Sequence, residues 1–329
     1  MIRAIRQALN LWQKPIRLGS SSLRPAVFVR GKKIFTSWSE NGDVLLCETR
    51  NGLSTKEVIG NGYYPDLTNN GSNHVVWESK SESTKYSVLY YKSGKSINIS
   101  GDLPYAELPR ICSFGVNLFV VFQSKTQTAC DIYFVRSYDN GGTWSIPIRI
   151  GAGSRPSIDI SNGVMTVVWA KNSPYGIVSR KYNIELDIFY DEVKVAEKGN
   201  KEQTPDVCGG IVVYTKYTDF NSYFTDGKFS YKVAPSLTYT MHPRVCFAEN
   251  KYMAVFQGKR TQQDSWNIYL SSYDGINVSS ITTISGNVTQ EQTPSIHASD
   301  KLVAIVYSDS DGTYMIERKV KHDNTTTFE

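Results

Sequence analysis

Cysteine, histidine, long apolar runs and basic clusters are what this chain has least of, and each shortage closes a class of explanation. The five cysteines (Cys47, Cys112, Cys130, Cys208 and Cys246) are odd in number, scattered and never spaced as Cys-x-x-Cys. Neither a disulfide framework nor a zinc site is expected from them; buried free thiols are. The four histidines, His74, His242, His297 and His322, share no motif, and each reads as a packing or surface residue. No apolar stretch approaches the roughly 20 residues of a membrane-spanning helix. Residues 1–14 carry Arg3 and Arg6 without a continuous apolar segment, so no signal peptide is expected. The formal charge is a mild +5, with no block of Lys and Arg, which argues against nucleic acid as a partner. No motif calls for a cofactor or a metal.

What is abundant is strand-forming material. Tyrosine occurs 21 times, and 40% of the 329 residues are hydrophobic, enough for a large core. One unit recurs along the whole chain: a proline, one variable residue, an aliphatic residue, a polar turn, then an apolar strand ending in an aromatic. The prolines are Pro25, Pro65, Pro109, Pro156, Pro205, Pro243 and Pro294, at spacings of 40, 44, 47, 49, 38 and 51 residues. The closing aromatics are Trp38, Trp77, Phe122, Trp169, Tyr214, Phe256 and Tyr307, each 12 or 13 residues after its proline except Tyr214, at 9.

Each unit has room for four short strands. In the fourth, residues 157–160, 164–170, 177–182 and 193–196 read as strands, with Asn162-Gly163 as the first turn. A period of about 45 residues with four strands per unit is that of a propeller blade. The fold expected is therefore all-β: a seven-bladed propeller of four-stranded antiparallel blades, each opening with a proline at the first strand position, where a missing ladder donor does no harm.

The last unit is one strand short. Residues 12–19, Trp-Gln-Lys-Pro-Ile-Arg-Leu-Gly, echo residues 144–151, Trp-Ser-Ile-Pro-Ile-Arg-Ile-Gly, the outer strand of blade 3. Residues 12–19 should complete blade 7 and remove its open edge. The organisation expected is a helical segment over residues 1–11, a propeller over 12–321 and a polar tail over 322–329. A longer period is visible too. Units two and five begin Pro-Asp, units three and six Pro-Arg, and units four and seven Pro-Ser, as if blades had multiplied in threes.

Ser137-Tyr138-Asp139-Asn140-Gly141-Gly142-Thr143-Trp144 closely resembles the Asp-box, Ser-x-Asp-x-Gly-x-Thr-Trp, of the sialidase-like (BNR-repeat) propellers. Partial echoes stand at Ser272-Tyr273-Asp274-Gly275 and Thr225-Asp226-Gly227. The resemblance implies a structural role for Ser137, Asp139, Gly141, Thr143 and Trp144, on the face away from a ligand site. It also implies what a sialidase would need: three arginines for a carboxylate, a Tyr–Glu nucleophile pair and an Asp acid/base. The first arginine of that family precedes its proline by two residues, where this chain has Leu23; Arg24 is one residue out of register and should face the other way. Known sialidase propellers have six blades, against seven units here. Seven-bladed relatives include lectins, assembly factors and some glycanases.

The residues after the prolines, Ala26, Asp66, Arg110, Ser157, Asp206, Arg244 and Ser295, should ring one mouth of the central channel. Asp66, Arg110, Asp206 and Arg244, with Gln123 and Gln257 just past two of the aromatics, form the candidate binding set. The competing reading is that the Asp–Arg neighbours are inter-blade salt bridges. Glu78 and Glu107 are the alternative carboxylates for glycoside hydrolysis. Asp309-Ser310-Asp311-Gly312 reads as a hairpin turn rather than a calcium loop. No catalytic residue is assigned. The function expected is a non-catalytic recognition module taking a glycan or protein on the channel face, of the kind found in virus or phage attachment and structural proteins, either cytoplasmic or on a particle. A propeller glycosidase is the alternative. A second alternative is a scaffold docking through its N-terminal helix, with Ile2, Ile5 and Leu9 as its apolar face.

Overall fold

Seven antiparallel sheets surround one channel in the computed structural model, which describes residues 12–320 except residues 21, 23, 51, 83–84, 173–174, 197–201 and 289–292. The expected helix over residues 1–11, the tail over 322–329 with His322, and Leu23 lie outside the described residues. The innermost strands are Ala26–Arg30, Tyr63–Asn69, Ala106–Phe114, Ser154–Ser161, Glu202–Cys208, Tyr239–Ala248 and Ser295–Ala298. Each touches the next around the ring, and the last touches the first. The short fifth blade has all four strands, Glu202–Cys208, Ile211–Lys216, Asn221–Thr225 and Ser230–Lys232. In blade 4 the outer strand is split into Ile188–Phe189 and Val193–Lys194, both pairing with Tyr175–Asn183.

Blade 7 is closed by Ile16–Gly19, which pairs antiparallel with Thr313–Lys319, Ile16 opposite Met315. The Gln13 N–H extends the ladder to the Glu317 carbonyl at 2.9 Å, and the Trp12 ring lies 5.3 Å from the Arg318 guanidinium.

The core is a set of slabs, because each sheet is apolar on both faces and each of the seven blade interfaces holds its own buried cluster. All seven closing aromatics are buried, six of them in these clusters and Trp38 in a smaller one with Leu45 and Cys47. Two of the tryptophans set a constraint the repeat did not advertise. The outer strand of one blade passes flat over the indole of the next, and only glycine leaves room. A methyl group added at Gly60 would sit 2.6 Å from Trp77 Cζ2, and one at Gly151 would sit 2.5 Å from Trp169 Cζ2. Gly151→Ala is expected to cost roughly 2–3 kcal/mol by overpacking. Gly163→Ala, in open space at φ 73°, should cost about 1 kcal/mol through backbone strain alone. Urea unfolding of the two variants checks the ranking.

The prolines are not at first strand positions in blades 2 to 6. There the innermost strand starts earlier and carries a bulge where the proline sits, between Tyr63 and Asp66, Glu107 and Arg110, Ser154 and Ser157, Gln203 and Asp206, and Met241 and Arg244. A bulge removes its residues from the ladder, so the missing N–H costs nothing there. The residue before each of these prolines takes a left-handed backbone: Tyr64 (φ 52°), Leu108 (53°), Arg155 (56°), Thr204 (50°) and His242 (53°).

Candidate functional site

Those five bulges decide what faces the channel. Each adds one residue to its strand, and the residue before the proline, not the one after it, is brought to the rim. The mouth is a shallow cavity of about 40 Å³ lined by Arg24, Tyr64, Leu108, Arg155, Thr204 and His242 with their prolines and by Thr293, and floored by Arg110 and Arg244. Beyond that floor a second cavity of about 320 Å³ opens towards the other face, past Thr68, Asp159, Cys208 and His297.

The floor is the Asp–Arg set singled out from sequence. Arg110 Nη2 and Arg244 Nη1 donate to Asp206 Oδ1 at 3.2 and 3.1 Å, and Arg110 Nε lies 3.4 Å from Asp66 Oδ2. Asp206 also accepts from Ser157 Oγ at 2.6 Å and from the Val245 N–H at 2.9 Å, while Asp66 accepts the Ile111 N–H at 2.9 Å. The four side chains, from blades 2, 3, 5 and 6, thus form one network across the channel. Burial pushes the Asp66 carboxyl up, against the pull of Arg110, and pushes the Arg244 guanidinium down, with Arg110 adding to the effect and Asp206 opposing it. The charges are arranged to satisfy one another.

Gln123 and Gln257 are buried. The Gln123 amide accepts the Arg155 N–H at 2.8 Å and donates to Glu107 at 2.9 Å. The same inter-blade contact recurs one residue past the closing aromatic in two other blades. Glu78 Oε2 accepts the Leu108 N–H at 3.1 Å, and Thr215 Oγ1 accepts the His242 N–H at 3.2 Å. These side chains hold the left-handed residues in place. Glu107 lies 2.5 Å from Lys125 Nζ. Glu78 is 5% exposed, and burial above all pushes its carboxyl up to about 7.

The rim carries two guanidinium groups without a direct carboxylate contact, Glu78 acting on Arg24 only from a distance. Among the described residues, neither the Arg24 nor the Arg155 guanidinium has a carboxylate within 4.0 Å. Arg24 lies over the Tyr64 ring at 4.9 Å, a cation–π contact. Burial, then Arg244 and Arg155, push its guanidinium down to about 10. Arg24 lines the mouth; it precedes the strand Ala26–Arg30, so strand alternation does not govern it. His242 is 5% exposed, and neither ring nitrogen has a hydrogen-bond partner among the described residues. Burial, then Arg24, Arg155 and Arg244, push its imidazole down to about 3, so it is neutral at pH 7. The other described histidines are satisfied internally: His74 meets Tyr90 Oη at 2.7 Å and Asn70 Oδ1 at 2.9 Å, and His297 Nδ1 accepts the Val29 N–H at 3.0 Å.

The turn at residues 137–144 lies on the face opposite the mouth, since it joins the third and fourth strands of blade 3. Asp139 Oδ1 accepts from Ser137 Oγ at 2.7 Å and from the Thr143 N–H at 2.8 Å, and these hydrogen bonds, the Thr143 N–H first, hold its carboxyl down at about 2. The Gly141 N–H donates to Ser137 Oγ at 2.8 Å. Trp144 packs edge-on against Tyr90 of blade 2 at 4.8 Å. Asp226 and Asp274 each accept two backbone N–H groups in their own turns at 2.8–2.9 Å. Asp309 caps its hairpin likewise, accepting the Asp311 and Gly312 N–H groups at 3.1 and 3.2 Å.

No family model matches this chain, and no curated protein resembles it in sequence. Solved structures resemble it in fold alone. It superposes on the Hadza microbial sialidase Hz136 with a TM-score of 0.56 at 10% identity, over 92% of this chain and 66% of that one. It superposes on the polysaccharide lyase Uly1 with a TM-score of 0.55 at 10% identity, over 90% of each chain. A subtype N10 neuraminidase-like protein of A/little yellow-shouldered bat/Guatemala/060/2010 gives 0.54 at 12% identity, over 93% of this chain and 98% of its own. The likeness is one of fold. The chain is a seven-bladed propeller that shares its architecture with sialidase- and neuraminidase-like proteins and with a polysaccharide lyase.

Proposed function

We propose that this propeller is a recognition module that binds an acidic glycan at the channel mouth without cleaving it. The observation that carries the proposal is the pair Arg24 and Arg155, two guanidinium groups at the rim of a small cavity without a carboxylate partner among the described residues. A planar guanidinium matches a carboxylate bidentately, and neither of these two has such a contact within the described residues. Arg155 is also held in a left-handed conformation that costs about 1–2 kcal/mol where glycine would be free. The fold neighbours, a sialidase and a polysaccharide lyase, carry names of proteins that act on sugars. An attachment or structural protein of a virus or phage is the setting in which such a module would serve.

A glycan array with sialylated, sulfated and uronate-bearing sugars tests this reading, using the full chain and Arg24→Ala/Arg155→Ala. Retention of acidic glycans that falls about 100-fold or more in the double variant is expected, from the loss of two charge-assisted contacts of about 1.5–3 kcal/mol each. Absence of any acidic glycan among the binders, or equal binding by the double variant, would refute it. Glycoside hydrolysis is the second reading, favoured by Glu78, whose carboxyl is raised to about 7 beside the mouth as a general acid's would be. Sugar release that disappears in Glu78→Gln would establish it in place of the first.

A further inference from the structure

The mouth holds a group that its charges do not explain. His242 is buried, it lines the cavity beside Arg24, Arg155 and Arg244, and both of its ring nitrogens lack a partner among the described residues. Buried polar atoms without partners are rare in folded proteins, and a side chain with two of them calls for an occupant. Nothing about the backbone forces a histidine there. Leucine and threonine occupy the equivalent left-handed positions 108 and 204.

The chemistry of a neutral imidazole differs from that of its neighbours. Guanidinium groups only donate. A neutral imidazole offers one N–H and one acceptor nitrogen, so it can take a proton donor from a ligand that the arginines cannot. The cavity of about 40 Å³ holds only one or a few waters. Any ligand that settles on the arginines shuts His242 off from solvent and must supply its hydrogen bonds or leave the ring stranded.

We infer that His242 is the specificity-determining residue of the mouth, selecting a carboxylate flanked by hydroxyl groups, as in a sugar acid, over an anion that brings no hydrogen-bonding neighbour. The arginines supply attraction for any anion. His242 supplies the discrimination, because a ring hydroxyl next to the carboxylate can donate to the free nitrogen or accept from the N–H. This rests on the reading of the mouth as an acidic-glycan site and adds a requirement that the reading does not contain.

The test compares two ligands with the same ring and the same carboxylate, D-glucuronate and tetrahydropyran-2-carboxylate, by ligand-observed NMR titration of the full chain. The wild-type chain is expected to prefer glucuronate by tenfold or more. In His242→Leu the preference should collapse to near unity while both carboxylates still bind. In His242→Asn, which keeps a donor and an acceptor and tolerates the left-handed backbone, the preference should persist. A purely structural His242 would alter both affinities together and leave their ratio unchanged, and that result overturns the inference. Equal binding of the two carboxylates by the wild-type chain overturns it as well, while leaving the acidic-ligand reading intact. If neither carboxylate binds the wild-type chain, both readings fall.

Discussion

Asp206→Ala should lower the melting temperature by roughly 8 °C or more, the largest effect expected of any single side chain on the channel axis. Asp206 is 4% exposed and meets four donors: Arg110, Arg244, Ser157 and the Val245 N–H. Removing it leaves two guanidinium groups facing each other in a site where Arg24 and Arg155 already add positive charge. Breaking a buried ion pair from one side costs about 3–5 kcal/mol, because the remaining charge is stranded. At about 2–4 °C per kcal/mol for a chain of this size, the shift follows. Asp66→Ala should cost less, since Asp66 holds one arginine at 3.4 Å and one backbone N–H. Differential scanning calorimetry of the two variants gives the order. An Asp206→Ala chain as stable as the wild type would mean that the network does not fasten the ring.

Removing residues 1–19 should have a larger consequence still, a loss of the monomeric ring rather than a graded loss of stability. Without Ile16–Gly19 the strand Thr313–Lys319 becomes an unpaired edge, and Ile16 and Leu18 leave the cluster between blades 7 and 1. The hydrogen bond from Arg17 Nη2 to the Asp311 carbonyl is abolished and that from Thr313 Oγ1 to the Ser20 carbonyl, both 2.6 Å, loses its anchor. Withdrawing Trp12, Ile16 and Leu18, each only partly buried, forfeits roughly 3–5 kcal/mol of apolar burial. The exposed edge then offers a template for another copy. Size-exclusion chromatography should show aggregates or oligomers, and the thermal transition should broaden. A truncated chain that elutes as a monomer with an unchanged transition would contradict closure by this strand.

The architecture was readable because propeller blades repeat a physical problem, and the residues that solve it recur at fixed offsets. Pro25 to Pro294 and Trp38 to Tyr307 mark the innermost hairpins, and the echo of residues 144–151 in residues 12–19 announced the closing strand before any pairing was known. The site was less readable, for one identifiable reason. A bulge adds a residue, and in a structure whose side chains alternate with a period of two, one residue exchanges the faces. Reading the strands as regular put Asp66, Arg110, Asp206 and Arg244 at the rim. The bulges put them one layer down and raised Tyr64, Arg155 and His242 in their place. The signal was present in the sequence as seven residues each followed by proline, a context that restricts the preceding backbone, but nothing local announced a left-handed turn. Gln123 has a framework contact that no single blade reveals. Its amide reaches across the blade interface to the Arg155 N–H, a contact visible only once both blades are in position. The glycines were legible in retrospect: Ile59-Gly60-Asn61-Gly62 and Ile150-Gly151-Ala152-Gly153 are the same sentence, each laid over the next blade's tryptophan.

The five bulges have a consequence for how such a chain can change over generations. Tyr64, Leu108, Arg155, Thr204 and His242 share one backbone state and stand at equivalent places on one circle. The conformational penalty at each is already met by inter-blade packing, and the five positions accommodate aromatic, aliphatic, charged and even β-branched side chains. Exchanging one of these side chains for another therefore alters what the circle displays while leaving the load on the fold nearly constant. Affinity for one partner can drift into affinity for another by steps that selection for folding barely registers. The ring acts as a panel of five separately rewritable addresses on a frame that stays the same.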